Sequence, residues 1–178
     1  YFAHIRPGLE KLSQVAEEYG WHTATGIYQA PTFGGASWLS HATLMTGHWI
    51  STNTHYHKLL TTNSKTLALW FQNSGYRATA LLPGLKREWP EGKFYGYDRV
   101  WNAKSLSYPG PSFGWWEIPD QYSLAFFYDK EGAIDLRDPL FSFFATITSH
   151  MPFHPLPPIE HDWPILLSSE PYPNVEKV

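Results

Sequence analysis

Apolar positions along the chain recur with two periods, and the switch between them marks out the elements. From Pro7 to Gly20, PGLEKLSQVAEEYG, residues Leu9, Leu12, Val15, Ala16 and Tyr19 fall at helical spacing between a proline and a glycine, which predicts an amphipathic helix. Trp21 to Gln29, rich in Thr, Ile and Tyr, reads as a short strand, and Ala30-Pro31-Thr32-Phe33-Gly34-Gly35-Ala36 as a loop. A second helix begins near Ser37 and runs through Trp38, His41, Ala42, Leu44 and Met45 to a stop at Gly47. Ser64 to Gly75 repeats the pattern with an apolar face of Leu67, Trp70 and Phe71, and Tyr76 to Leu82 reads as a buried strand ending at Pro83-Gly84. Leu85 to Phe113 is irregular and aromatic apart from a short strand at Asp98 to Trp101, and Pro119-Asp120 opens a helix that reaches Phe127. Leu140 to Ser149, LFSFFATITS, is nearly all apolar, as in a strand covered on both faces, and leads directly into His150. Beyond Met151, seven prolines in the last 28 residues predict an extended surface tail.

Helix and strand in this alternation predict an α/β layered fold with a largely parallel sheet. Ligands in such sheets bind beyond the carboxyl ends of the strands. The Gly-rich turn into Ser37 and the segment at His150 are the two stretches expected there.

Composition narrows the function classes. At 178 residues, 43% hydrophobic and 16% charged, the chain has the size and apolar content of one folded unit. A net charge of -3 and a pI near 6.3 disfavour nucleic acid as a principal partner. No stretch is long and apolar enough to span a bilayer, and the start carries neither Met nor a signal-peptide pattern, so the chain is expected to be a processed or excised segment. Zero cysteines exclude disulfides, thiolate catalysis and cysteine-ligated zinc.

Four constellations carry candidate chemistry. Ser37, after a glycine pair and at a helix start, could be the nucleophile of phosphoryl or sulfuryl transfer beside free N–H groups, or simply the helix N-cap. His150 and His154, four apart and set among prolines, could bind an oxyanion, protonate a leaving group or ligate a metal, or be solvated loop histidines. His48, His55 and His57 include a His-x-His pair that would suit zinc on a strand, although the surrounding Ser, Thr and Asn favour an exposed loop. Glu160-His161-Asp162 has ligand atoms, but neighbours in an extended segment point apart.

The order of these motifs resembles the sulfatase-like branch of the alkaline phosphatase superfamily. Ser37-Trp38-Leu39-Ser40-His41-Ala42-Thr43-Leu44-Met45-Thr46-Gly47 is similar to the family's nucleophile helix, Cys/Ser-x-Pro-x-Arg followed by Ala-x-Leu-x-Thr-Gly, with Ser37 on the nucleophile. Ala30-Pro31-Thr32, Thr66-Leu67-Ala68 through Gly75-Tyr76-Arg77, and Phe94-Tyr95-Gly96-Tyr97-Asp98 are similar to its further landmarks. Ser149-His150-Met151-Pro152-Phe153 resembles the Ser-His-x-Pro segment of the phosphoethanolamine and lipoteichoic acid transferases of that superfamily. Leu39 and His41 stand where the sulfatases carry Pro and Arg, and the Gly-Lys-Trp-His stretch is missing, which turns the resemblance away from sulfate-ester hydrolysis.

The resemblance implies a three-layer α/β/α fold, incomplete at both ends, over a single partial domain 1–178 with its core at 7–150 and a tail at 151–178. It implies a metal-dependent hydrolase or transferase in which Ser37 attacks phosphorus and also ligates a divalent cation (Mn, Zn, Mg or Ca), the other ligands lying outside this chain. His150 would serve the leaving group, and His41 and His154 would contact the substrate. The substrate would be a phosphorylated or sulfated small molecule, glycan or lipid head group at the periplasmic or outer face of a bacterial inner membrane, with an anchor elsewhere. Self-association is expected if truncation bares the core. The alternative is an inactive member of the fold that binds an envelope lipid or protein.

Overall fold

The computed structural model describes residues 2–32, 35–113, 117–132, 138–152 and 155–175. Its elements run α1 (Phe2–Glu18), α2 (Ser37–Thr46), α3 (Asn53–Leu60), α4 (Leu67–Asn73), β1 (Arg77–Leu82), α5 (Gly92–Tyr95), β2 (Arg99–Asn102), α6 (Ala103–Leu106), α7 (Asp120–Glu131), β3 (Leu140–Phe144) and α8 (Trp163–Leu166). The three strands form one parallel sheet in the order β2-β1-β3, with Ala80 level with both Val100 and Phe143. The chain is thus a mixed α/β protein with a small parallel sheet, as the alternation predicts.

Side chains alternate across a strand, so β1 serves two apolar clusters at once. Ala78 faces Leu39, Ala42 and Met45 of α2, with Tyr56, Leu59 and Tyr95. Leu81 faces Trp101, Leu106, Tyr122, Ala125 and Leu166. Helices α2 to α5 therefore cover one face of the sheet, and α7 and α8 the other. Small side chains along β1 let both layers approach closely. Asp98 fixes the entry to β2: its carboxylate accepts from Ala78 N at 2.7 Å and from Gln72 Nε2 at 2.8 Å. On the second face Glu131, at the end of α7, is buried and accepts from Trp101 Nε1 at 2.7 Å and from Arg77 Nη1 of β1.

Four expectations are corrected. Trp21 to Gln29 forms no strand, because among the described residues no ladder partner pairs with it. His48 lies in a loop as expected, but His55 and His57 lie on α3, capped by Thr52, whose side chain accepts from His55 N. The tail is more than a surface wrap, since Leu166 and Tyr172 complete the second cluster and Pro171, between them in the sequence, is buried. The aromatic Leu85 to Phe113 stretch holds, besides the expected strand β2, the short helices α5 and α6, and Tyr95, Trp101 and Phe113 are buried in the core. Among the described residues no helix is long and apolar enough to cross a membrane.

Candidate functional site

Helix α2 forms because Leu39, Ala42 and Met45 share a buried face and because its ends are well defined. At the carboxyl end Gly47, at φ 72°, donates its N–H to Thr43 O at 2.8 Å, a left-handed stop that suits glycine. At the amino end the cap is Ala36, which holds φ 53° and ψ 36° without a side-chain hydrogen bond. A residue with a Cβ gives up about 1–2 kcal/mol in that region. Ser37 consequently sits at the first helical position and is not the N-cap, which removes the simplest structural explanation for a serine there. Its side chain is exposed, and its hydroxyl has no hydrogen-bond partner among the described residues. The preceding loop is tied down one turn along, by Thr32 Oγ1 and Ser40 Oγ at 2.7 Å.

His41 follows Ser37 by four residues, about 6 Å along the same helix face. Its ring meets Phe143 edge-on, with centroids 5.4 Å apart. Burial holds its pKa below the usual histidine range, so the ring is neutral near pH 7. This contact seats the first half of α2 against the carboxyl half of β3.

The loop bearing His150 leaves that same end of β3. His150 is exposed, its backbone N–H donates to Ile147 O at 2.9 Å, and its Nδ1–H donates to Met151 O at 2.7 Å. With Nδ1 carrying the proton, Nε2 is the basic nitrogen of the neutral ring. What holds the loop is a residue that the sequence reading passed over as a helix starter. The carboxylate of Asp120, the first residue of α7, accepts from Ile147 N at 2.8 Å and from Thr148 N at 2.9 Å, while Thr148 Oγ1 accepts from Asp120 N at 2.9 Å. Burial raises the Asp120 pKa above the usual carboxylate value against the pull of the backbone N–H groups of Ile147 and Thr148 and of the Thr148 side chain. The signal in the sequence was an Asp at a helix start and a Thr after a strand, with nothing to connect positions 28 apart.

Ser37 and His41 are thus brought together on one helix, and His41 and the His150 loop are joined through β3. His154 lies outside the described residues. On α3, His55 and His57 are two residues apart and so diverge by about 200° around the helix; His55 Nδ1 instead lies 3.3 Å from Ser51 Oγ. Glu160 turns back to accept from Asp162 N at 2.9 Å. Among the described residues no three His, Asp or Glu side chains converge to hold a metal ion, and Ser37 offers a single neutral oxygen, so these residues do not by themselves fit a divalent cation. Compared with protein-family models, curated proteins and solved structures, the chain matches none.

Proposed function

We propose that the chain carries the nucleophile segment of a sulfatase-like phosphoester hydrolase or phosphotransferase of the alkaline phosphatase superfamily, acting on phosphate in preference to sulfate esters. The observation that carries this reading is Ser37. A serine hydroxyl without a hydrogen-bond partner among the described residues stands at the start of a ten-residue helix, behind a strained Ala36, with a neutral histidine one turn away. Free N–H groups and the positive end of the helix dipole would stabilise an oxyanion there. In this reading Ser37 Oγ forms a bond to phosphorus and the bond to the leaving-group oxygen breaks. The Ser37 hydroxyl proton passes to solvent as that bond forms, His150 donates the proton that the leaving-group oxygen takes up and regains one from solvent, and His41 holds a phosphoryl oxygen. The divalent cation that the resemblance implies would need ligands other than the described residues. The substrates would be phosphorylated glycans, lipid head groups or small molecules of the bacterial envelope.

The test is turnover of a chromogenic phosphodiester beside a chromogenic sulfate ester, with Mn²⁺ or Zn²⁺ added, followed by intact-mass analysis of the quenched protein. Phosphodiester turnover that is lost in Ser37→Ala, with a substrate-derived adduct on Ser37, supports the reading. Turnover that survives Ser37→Ala overturns the assignment of the nucleophile.

A further inference from the structure

Helices α7 and α8 enclose a concavity of about 690 Å³, and none of Ser37, His41 and His150 lines it. One wall is a single face of α7 and its carboxyl cap, where Ala125, Tyr128, Asp129 and Gly132 fall at i, i+3, i+4 and i+7. The other is Trp163, Pro164 and Leu167 of α8 and its cap. Room exists because Ala125 and Gly132 carry little or no side chain; at Gly132 a Cβ would collide with the Tyr128 carbonyl. Leu166, fully buried in the same cluster as Ala125, anchors α8 and fixes the two walls against each other. The aromatic residues of both walls face solvent, Tyr128 at 67% and Trp163 at 42% exposure. A concavity of this size with aromatic walls and few polar groups has the make-up of a small-ligand site.

The polar groups of the lining select the ligand. Asp129 receives Lys130 Nζ on Oδ2 at 2.8 Å, and its Oδ1 has no partner among the described residues. Lys130 is not in the lining; its ammonium also lies 5.7 Å from the centre of the Phe126 ring. Glu160 and Asp162 lead into α8, so the charge around the concavity is acidic and an anion is disfavoured. A sugar ring would need several matched donors and acceptors, whereas the side chains here offer the Tyr128 hydroxyl, the Trp163 N–H and Asp129. An ammonium whose charge is spread over methyl or methylene groups needs no directional donor, and both aromatic rings and a carboxylate attract it. We propose that this concavity binds an organic ammonium group carried on an apolar body, with Tyr128 and Trp163 as its cation–π walls and Asp129 as its counter-charge. The site is independent of the proposed phosphoester chemistry.

An NMR titration of the whole chain with tetramethylammonium chloride tests this. The comparisons are sodium chloride at the same ionic strength and tert-butanol, a neutral molecule of nearly the same size and shape. Saturable shifts are expected at the Trp163 indole N–H and at the amides of Tyr128 to Gly132, with a dissociation constant roughly tenfold below that of tert-butanol. Trp163→Leu and Asp129→Asn should each weaken ammonium binding about threefold or more. Both side chains are largely exposed and Leu166 still anchors α8, so both variants should keep the wild-type spectrum elsewhere. Trp70→Leu removes an exposed indole that already has Lys65 over its ring and should leave the titration unchanged. Equal affinity for tert-butanol, shifts that sodium chloride reproduces, or ammonium binding that survives intact in both Trp163→Leu and Asp129→Asn would overturn the proposal. Tighter saturable binding of glucose than of tetramethylammonium at the same resonances would overturn it in favour of a sugar site.

Discussion

Replacing Asp120 tests how the His150 loop is held. Its carboxylate receives two backbone N–H groups, and hydrogen bonds to a charged group contribute about 1.5–3 kcal/mol each, so roughly 6 kcal/mol is the ceiling. The burial that raises the pKa of Asp120 shows that ionising it in place is unfavourable, which brings the expected loss for Asp120→Ala to about 2–4 kcal/mol. Urea unfolding of wild type and variant measures this loss. Amide exchange at Ile147 and Thr148 should accelerate in parallel, because those donors lose their acceptor. Asp120→Asn, with one acceptor oxygen, should fall between the two. The pH dependence has a defined sign. A carboxyl whose folded pKa lies above its unfolded value of 3.8 contributes stability that is complete below pH 3.8 and lost as pH rises through the folded pKa. The margin of wild type over Asp120→Asn should therefore narrow across that rise. A loss under about 0.5 kcal/mol, the usual scatter of surface substitutions, with unchanged exchange at Ile147 and Thr148, would refute the clamp.

Two further predictions concern the sheet. Arg77→Met leaves the buried Glu131 carboxylate with Trp101 as its remaining partner and should cost about 3 kcal/mol in urea unfolding, the low end for a broken buried pair because Arg77 is partly exposed; adding Glu131→Leu should recover part of it. His41 has a folded pKa below its unfolded 6.5, so its contribution is present above pH 6.5 and lost as pH falls through the folded value. His41→Phe keeps a ring against Phe143 and should flatten the fall in thermal midpoint below pH 6.5.

Elements whose signals are local were legible in the sequence. The Ser37 to Gly47 helix was read to within a residue because periodicity and a stop glycine coincide there, and β1 and β2 lie within a residue of their expected spans. Helix α3 was missed although Thr52 as cap and Tyr56 and Leu59 three apart mark it, because polar Thr, Asn and His residues masked that spacing. β3 ends at Phe144, five residues before Ser149, where the Asp120 clamp takes over the backbone donors. Long-range matters were illegible: the burial of tail residues Leu166 and Tyr172, the Asp120 to Thr148 exchange, and the lack of a neighbour for residues 21–29. Of the candidate site, the sequence named Ser37, His41 and His150 but not the strain at Ala36 that displaces Ser37 from the capping position.

The strand order β2-β1-β3 also has a consequence in time. On the ribosome β1 acquires β2 almost at once, whereas β3 emerges roughly 40 residues after β2, about 2–8 s at ordinary rates of synthesis. Through that interval the edge of Arg77–Leu82 that later takes β3 is bare. The nascent protein is thus most open to misassembly, or to capture by a chaperone, between the synthesis of its second strand and its third.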